Sequence, residues 1–263
     1  AHGEDIVFPE HPLLVTGSRD HKIHVWKLPI LQEDTVGETT FDSGESENPY
    51  LIAVLAGHTQ SVRSLSGYGN IIVSGSYDST VRVWDLLDNA RCKHILQGHQ
   101  DRVYSTAIDY SKKVCFSGSM DSTINIWNFE TGELLKVLEG HSSLVGLLTL
   151  VDEVLVSAAA DASLRIWDPV TGELKSKLRE HAAAITCFEH DGLKVVSGSE
   201  KQLKVWDVRR GEFARDLLYD VTGSVWNVSI DYKRCVAAVQ RVNRAGEGEL
   251  FLEILDFSES QQN

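Results

Sequence analysis

The sequence has few of the features that mark metal-binding, redox or membrane-spanning proteins. Four cysteines occur in 263 residues, none of them in a Cys-x-x-Cys spacing, and they fall mostly in strand-like patterns at Cys92, Cys115, Cys187 and Cys235. Scattered cysteines of this kind are typical of reduced, half-buried core residues in a cytosolic or nuclear protein. No stretch approaches about 18 consecutive apolar residues, so we expect no spanning segment and no membrane partner.

Basic residues are also scarce. The chain has 25 Lys and Arg against 38 Asp and Glu, which gives a formal net charge of -13. Nucleic-acid binding requires a basic surface, so we do not expect a nucleic-acid partner. The motifs of common enzymes are missing as well: there is no Gly-x-Ser-x-Gly, no P-loop and no cluster of Cys and His at metal-ligand spacing. We therefore expect no catalytic residue, no metal and no cofactor.

What the sequence has in abundance is one repeated unit. The stretch from Gly57 to Asp85 recurs with variation from Gly98, Gly140 and Glu180, at a period near 40 residues that ends in Trp-Asp or Trp-Asn. Within each unit, short runs of alternating apolar and polar residues are separated by turn residues, which predicts antiparallel strands. The pattern resembles the WD-repeat family. This resemblance implies an all-β fold, a β-propeller in which each unit supplies one four-stranded blade.

The repeated polar residues have a structural role in that family. The indole N–H of a buried Trp needs a hydrogen-bond partner, and the family supplies a Ser or Thr that is linked through a histidine to an Asp in a tight turn. Three complete sets are expected: Trp84, Ser74, His58 and Asp78; Trp127, Ser117, His99 and Asp121; and Trp167, Ser157, His141 and Asp161. Their recurrence favours structural networks over catalytic or metal sites. The fourth unit has Glu200-Lys201 where its Asp should be, so we expect it to be the least well supported.

The repeat also predicts the domain organisation. A half blade at 13–29 precedes an acidic insertion at 30–50, full blades at about 51–258 and a disordered tail at 259–263. We expect five full blades and a half, forming part of an eight-bladed ring whose first blades are absent from this sequence. We interpret the insertion as a solvated surface loop. The alternative is a partner-binding or phosphorylated loop.

Function is expected where the units differ from one another. The residue before the turn Asp and two residues of the Gly-His loop vary most, and they comprise Arg19, Arg63, Arg102, Tyr77 and Tyr104 in the early units and Met120, Leu144 and Trp226 in the late units. Arginines that share a small site bind phosphate through paired hydrogen bonds, and tyrosine hydroxyls donate to the same group. We therefore predict a phosphate-binding half and an apolar half at the channel mouth, in preference to solvated surface arginines.

Longer runs of sequence support a more specific resemblance. LVTGSRD, SVRSLSGYGN, DRVYST and FLEILDFS closely resemble the propellers of fungal cell-division-cycle F-box proteins, over residues 13–258. The resemblance implies a substrate receptor of an SCF-type ubiquitin ligase, which binds phosphodegrons and does no chemistry itself. It implies phosphate binding by Arg19, Arg63 and Tyr77, which should converge on one point, with Arg102 as a further cation. It also implies an apolar pocket lined by Tyr104, Met120, Leu144 and Trp226.

The same resemblance implies the partners. These are phosphorylated protein substrates, together with a Skp-type adaptor and a cullin that bind through an F-box region absent from this sequence. The implied location is the nucleus and the cytoplasm. The alternative is a general WD-repeat scaffold without phosphopeptide specificity, which would bind proteins through its blade edges or through the acidic insertion.

Overall fold

The structure is a computed structural model that describes residues 12–28, 48–218, 223–242 and 246–257. The acidic insertion predicted at 30–50 lies outside the described residues as far as residue 47, and so does the whole predicted tail at 259–263. The described residues form 22 β-strands, and none of them lies in a helix. Accordingly, no helix capable of crossing a bilayer occurs within the ranges that the structure describes.

The strands form six antiparallel sheets, which we number as blades 1 to 6 in chain order. Blade 1 has three described strands, β1 (Leu13–Gly17), β2 (Ile23–Lys27) and β3 (Leu51–Leu55). Blade 6 also has three, β20 (Val225–Ile230), β21 (Arg234–Val242) and β22 (Gly248–Asp256).

The four central blades have four strands each. Blade 2 consists of β4 (Val62–Tyr68), β5 (Ile71–Ser76), β6 (Thr80–Asp85) and β7 (Arg91–Gln97). Blade 3 consists of β8 (Val103–Asp109), β9 (Val114–Ser119), β10 (Ile124–Asn128) and β11 (Leu134–Leu138). Blade 4 consists of β12 (Val145–Val151), β13 (Val154–Ala159), β14 (Leu164–Trp167) and β15 (Leu174–Leu178). Blade 5 consists of β16 (Ile185–His190), β17 (Lys194–Ser199), β18 (Gln202–Asp207) and β19 (Glu212–Leu218).

Six sheets agree with the predicted five blades and a half, but the predicted boundaries of the first blade were wrong. The repeat predicts that a new full blade begins at about residue 51, whereas Leu51–Leu55 forms β3 and pairs with β2 of blade 1, with Ile23 opposite Leu55. The reason is an offset between repeat and blade: the strand that precedes each Gly-His loop is the outer strand of the previous sheet, as β7 is in blade 2. The insertion therefore interrupts blade 1 between β2 and β3.

Blade 6 falls within the full blades predicted at about 51–258, and its described residues supply three strands instead of four. The paired strand β22 leaves apolar side chains in solvent, since Leu250, Leu252 and Ile254 are each about 70% exposed. The described strands do not test an eight-bladed ring, which stays a prediction.

The core lies between neighbouring blades. Val73 and Val83 of blade 2, for example, are completely buried against Val103 and Trp127 of blade 3. Each such side chain stabilises the fold by roughly 1.5–3 kcal/mol relative to exposure. The four cysteines are unpaired thiols, and all but the half-buried Cys92 lie in this core. Because both faces of a central sheet are covered in this way, strands such as β5 are buried along their whole length.

Candidate functional site

A hydrogen-bonded network holds the end of each central blade where the Gly-His loop meets the tight turn. In blade 2, His58 Nδ1 lies 2.8 Å from Asp78 Oδ2 and His58 Nε2 lies 2.7 Å from Ser74 Oγ, which accepts the indole N–H of Trp84 at 2.9 Å. A carboxylate can only accept, so the imidazole proton is on Nδ1 and the Ser74 hydroxyl donates to Nε2. The chain from Trp84 to Asp78 is thus satisfied at every atom.

The other two predicted sets have the same hydrogen bonds. In blade 3 they join Trp127, Ser117, His99 and Asp121, and in blade 4 they join Trp167, Ser157, His141 and Asp161, at 2.8–3.0 Å. The turn carboxylates are ionised: burial raises the pKa of Asp161, but hydrogen bonds from Ser163, the Ser142 N–H and His141 lower it to about 2. In the part of the chain that the structure describes, no group of three or more His, Cys, Asp or Glu side chains could hold a metal ion.

Blade 5 makes the network without a carboxylate. Ser199 Oγ lies 2.7 Å from His181 Nδ1, and Ser197 Oγ lies 2.7 Å from His181 Nε2. The Gln202 side-chain oxygen accepts the Ala182 N–H, a role that Asp78 has toward Thr59 in blade 2. Neither substitute was predicted from the sequence. Ser199 occupies the position of Ser76 in blade 2, where the hydroxyl donates to the Gln60 carbonyl instead of contacting the histidine. Burial, followed by the charge of Lys204, lowers the pKa of His181 to about 4.

Next to these networks, one β-bulge recurs in blades 2 to 6. The pairing of the first two strands of each blade shifts register at a single residue, and these residues are Arg63, Tyr104, Gly146, Thr186 and Trp226. A bulge leaves one residue out of the ladder and changes the direction of its side chain. Three of these residues, Arg63, Tyr104 and Trp226, are among the variable positions that the sequence indicated, and the bulge distinguishes them from their neighbours. We call the end of the blades that carries them the rim.

Four of the predicted site residues meet across the boundary between blades 2 and 3. The Arg63 guanidinium carbon lies 5.9 Å from the ring centroid of Tyr104, and the Arg102 guanidinium carbon lies 5.1 Å from that of Tyr77. The two tyrosine rings are 5.1 Å apart and inclined at 40°. We call Arg63, Tyr77, Arg102 and Tyr104 the Arg–Tyr cluster.

The backbone holds the Arg–Tyr cluster in place. The N–H of Tyr77 donates to the Ser61 carbonyl at 3.0 Å, and the Arg102 carbonyl accepts the N–H of Met120 at 2.9 Å. Hydrogen bonding to Tyr104 and burial raise the pKa of Tyr77, although Arg63 opposes the increase, so the Tyr77 hydroxyl keeps its proton at neutral pH. Both arginines are exposed. Within the described ranges, the arginines that pair with carboxylates are Arg210, Arg234 and Arg241, and none of these belongs to the cluster.

Arg19 was predicted to converge with Arg63 and Tyr77, and its backbone lies beside them. The carbonyl of Ser18 accepts the N–H of Val62 at 3.0 Å, which places the turn of Arg19 next to the residue before Arg63. The Arg19 side chain is exposed, and the contacts of the described residues include none between it and the cluster. The structure therefore unites Arg63 and Tyr77, and convergence of Arg19 with them stays a prediction.

The predicted apolar half is at the rim of later blades. Met120 is 45% exposed and Trp226 is 57% exposed, while Leu144 is half-buried. Beside Leu144, the bulge residue of blade 4 is Gly146, and a Cβ added to it meets no atom within 4 Å. Exposed apolar side chains beside unfilled space are suited to receive an apolar group of a ligand. No contact joins these three side chains in the described structure.

A family model decides the classification. The model described as "WD domain, G-beta repeat" matches residues 6–27, 49–85, 90–128, 132–168 and 172–207, which is more than half of the chain. The chain belongs to the WD40 family. Blade 6 lies beyond the last WD40 match, so its strands rather than a repeat signature identify it as a blade.

Individual proteins agree with the WD40 assignment. The chain is 75% identical over 257 residues to Cell division control protein 4 of Candida albicans, a match that covers 98% of this chain and 37% of that protein. It is 42% identical over 237 residues to Cell division control protein 4 of Saccharomyces cerevisiae, covering 82% of this chain and 30% of that protein. These matches confirm the predicted resemblance to the fungal cell-division-cycle proteins. The chain spans about a third of the length of these curated relatives.

A solved structure supports the fold. The WD40 β-propeller domain of Doa1 superposes with a TM-score of 0.65 at 22% sequence identity, covering 86% of this chain and 72% of that one. At this identity the likeness concerns the propeller architecture alone.

Proposed function

We propose that this chain is the substrate-binding propeller of an SCF-type ubiquitin ligase. It captures phosphorylated Ser/Thr-Pro segments of proteins at the Arg–Tyr cluster and presents them for ubiquitin transfer, without catalysing a reaction itself. The observation that carries the proposal is the Arg–Tyr cluster, in which Arg63 and Arg102 each lie against a tyrosine ring of the neighbouring blade. Within the described ranges neither arginine has a carboxylate partner, although the net charge of the chain is -13. Such a cationic site in an acidic protein is suited to an anionic ligand.

The chemistry of the cluster matches a phosphate group. Guanidinium groups of Arg63 and Arg102 offer forked donors, and each charge-assisted hydrogen bond contributes roughly 1.5–3 kcal/mol where water is excluded. The protonated Tyr77 hydroxyl is a further donor. At physiological salt, charges more than about 8 Å away are screened, so the distant acidic residues weaken the site little. Arg19 would add a third cation from blade 1.

The apolar half would select the residues that flank the phosphate. Met120, Leu144 and Trp226, together with the Tyr104 ring, would contact apolar or proline side chains, which lose exposed area on binding. Separating a charged half from an apolar half allows one site to require both a phosphate and apolar neighbours.

The remaining functions belong to the whole protein. The relatives named above are cell division control proteins, and this chain spans about a third of their length. We propose that a Skp-type adaptor and a cullin bind through an F-box elsewhere in the full-length protein, that the protein acts in the cell cycle, and that it is located in the nucleus and cytoplasm.

The proposal is tested with two fluorescein-labelled ten-residue peptides that contain a Thr-Pro pair flanked by leucines and differ only in a phosphate on the threonine. Fluorescence polarisation gives the Kd of each peptide, and we call the ratio of the unphosphorylated to the phosphorylated Kd the phosphate ratio. We expect a ratio well above ten for the wild type and a decrease of about tenfold or more for Arg63→Ala. Arg91→Ala is the matched control, because Arg91 is an exposed arginine at the start of β7.

Equal affinities for the two peptides would contradict the proposal and would favour the general scaffold. In that case deletion of residues 31–48 would abolish partner binding, while Arg63→Ala would not.

A further inference from the structure

We infer that Tyr104 is a positioning residue for Arg63, and that Tyr77 has the same role for Arg102, so that the two guanidinium groups respond to an anion as one coupled unit. The inference rests on the proposed function and deepens it. It adds to Tyr104 a second role besides lining the apolar pocket.

The contacts cross between the blades. Arg63 of blade 2 lies against the ring of Tyr104 in blade 3, while Arg102 of blade 3 lies against the ring of Tyr77 in blade 2. The two rings also touch each other. Each arginine is therefore supported by an aromatic ring from the neighbouring blade, and the two rings are in contact as one Tyr77–Tyr104 pair. A guanidinium over an aromatic ring is attracted by the quadrupole of the ring.

The supporting tyrosines are themselves restrained. Tyr104 is the bulge residue of β8, between the buried Val103 and Ser105, and the Ser105 hydroxyl donates to the Val145 carbonyl of the next blade. Tyr77 is fixed by its backbone hydrogen bond to Ser61. The arginines, in contrast, are long exposed side chains without an ion-pair partner in the described ranges. Because such side chains lose considerable rotamer freedom on binding, a preformed aromatic support lowers the entropic cost of capturing an anion.

The two roles of Tyr104, lining the pocket and positioning Arg63, predict different effects of Tyr104→Leu on the phosphate ratio. If Tyr104 only lined the apolar pocket, Tyr104→Leu would raise the Kd of the phosphorylated and unphosphorylated peptides by the same factor. If Tyr104 positions Arg63, the variant loses phosphate recognition specifically, and the phosphate ratio falls by about three- to fivefold. Tyr104→Phe keeps the ring and removes only the hydroxyl, so its ratio should stay within about twofold of wild type.

The experiment is a double-mutant cycle on the full chain with the two peptides described above. The variants are Arg63→Ala, Tyr104→Leu, Tyr104→Phe and the double variant Arg63→Ala/Tyr104→Leu, each checked for wild-type near-ultraviolet circular dichroism. We expect Tyr104→Leu to lower the phosphate ratio in the presence of Arg63 and to leave it unchanged in the Arg63→Ala background, which is the signature of coupling. Tyr104→Met also removes the ring, and it replaces the leucine variant in the cycle should that variant fail to fold.

Three results would overturn the inference. An unchanged ratio for Tyr104→Leu in a wild-type background whose own ratio is large would refute it and leave the proposed function intact. A decrease for Tyr104→Phe as large as that for Arg63→Ala would also refute it, because the hydroxyl rather than the ring would then be responsible. A wild-type ratio near one would refute the proposed function, and the inference with it.

Discussion

Ser199 Oγ stands 2.7 Å from His181 Nδ1, in the place where Asp78 Oδ2 stands beside His58 in blade 2. A hydroxyl can donate or accept, whereas a carboxylate only accepts, so blade 5 satisfies its histidine without introducing a buried negative charge. Blades 2 and 5 therefore share complete hydrogen bonding of the histidine and not one particular ion pair.

The first prediction concerns this hydroxyl. Ser199→Ala should lower the free energy of unfolding by roughly 1–3 kcal/mol, because it leaves a buried imidazole nitrogen without a partner. Urea denaturation followed by circular dichroism measures the change. Ser142→Ala, at an exposed serine beside the equivalent histidine of blade 4, is the control and should be neutral. A neutral Ser199→Ala would show that another group or water replaces the hydroxyl.

The second prediction concerns the pH dependence of stability that arises from His181. His181 has a folded pKa of about 4, below its ordinary value of 6.5, so the unfolded chain binds more protons between these values and stability rises with pH across this window. The free energy of unfolding is therefore not reduced by His181 above pH 6.5, and it falls by up to about 3 kcal/mol as the pH decreases toward 4. Nitrogen-15 NMR titration of the imidazole ring measures its protonation directly. A midpoint near pH 6.5 in the folded protein would contradict the prediction.

The third prediction compares two glycines. Gly146→Ala should change the free energy of unfolding by less than about 1 kcal/mol, because the new methyl group enters open space and a less flexible unfolded chain favours folding. Gly75→Ala should destabilise by about 1–3 kcal/mol or more, because its Cβ would lie 2.6 Å from Val103 Cγ1 in the interface between blades. Thermal denaturation of both variants measures the contrast. Equal losses of stability would mean that the rim at Gly146 is already filled.

The fourth prediction compares the same hydrogen bond in a buried and in an exposed setting. Ser74 is fully buried and links Trp84 to His58, while Thr16 is exposed and accepts the indole N–H of Trp26 at 3.0 Å. Ser74→Ala should lower the free energy of unfolding by roughly 2–5 kcal/mol, because two buried groups lose their partners. Thr16→Ala should lower it by less than about 1 kcal/mol, because water replaces the hydroxyl. Urea denaturation measures the free energy of unfolding of the two variants. Similar losses of stability would indicate that burial does not control how much this hydrogen bond contributes.

The number of blades and three complete networks could be predicted from the repeat alone. The partners of a network, such as His58, Ser74, Asp78 and Trp84, belong to a single repeat, so short-range spacing along the chain is enough to identify them. The replacement of the missing Asp by Ser199 and Gln202 could not be predicted in this way, because a shortened turn changes which side chain reaches the histidine.

The contacts among the rim residues, in contrast, emerge from the folded arrangement of the blades. The repeat pattern showed arginines and tyrosines at variable positions, but the contacts of Arg63 with Tyr104 and of Arg102 with Tyr77 join side chains that belong to neighbouring blades. That pairing depends on the angle at which one sheet packs on the next and on the β-bulges that redirect Arg63 and Tyr104. Spacing along the chain contains no information on either quantity, since the angle arises from packing between sheets and the bulges arise from strand pairing within a sheet.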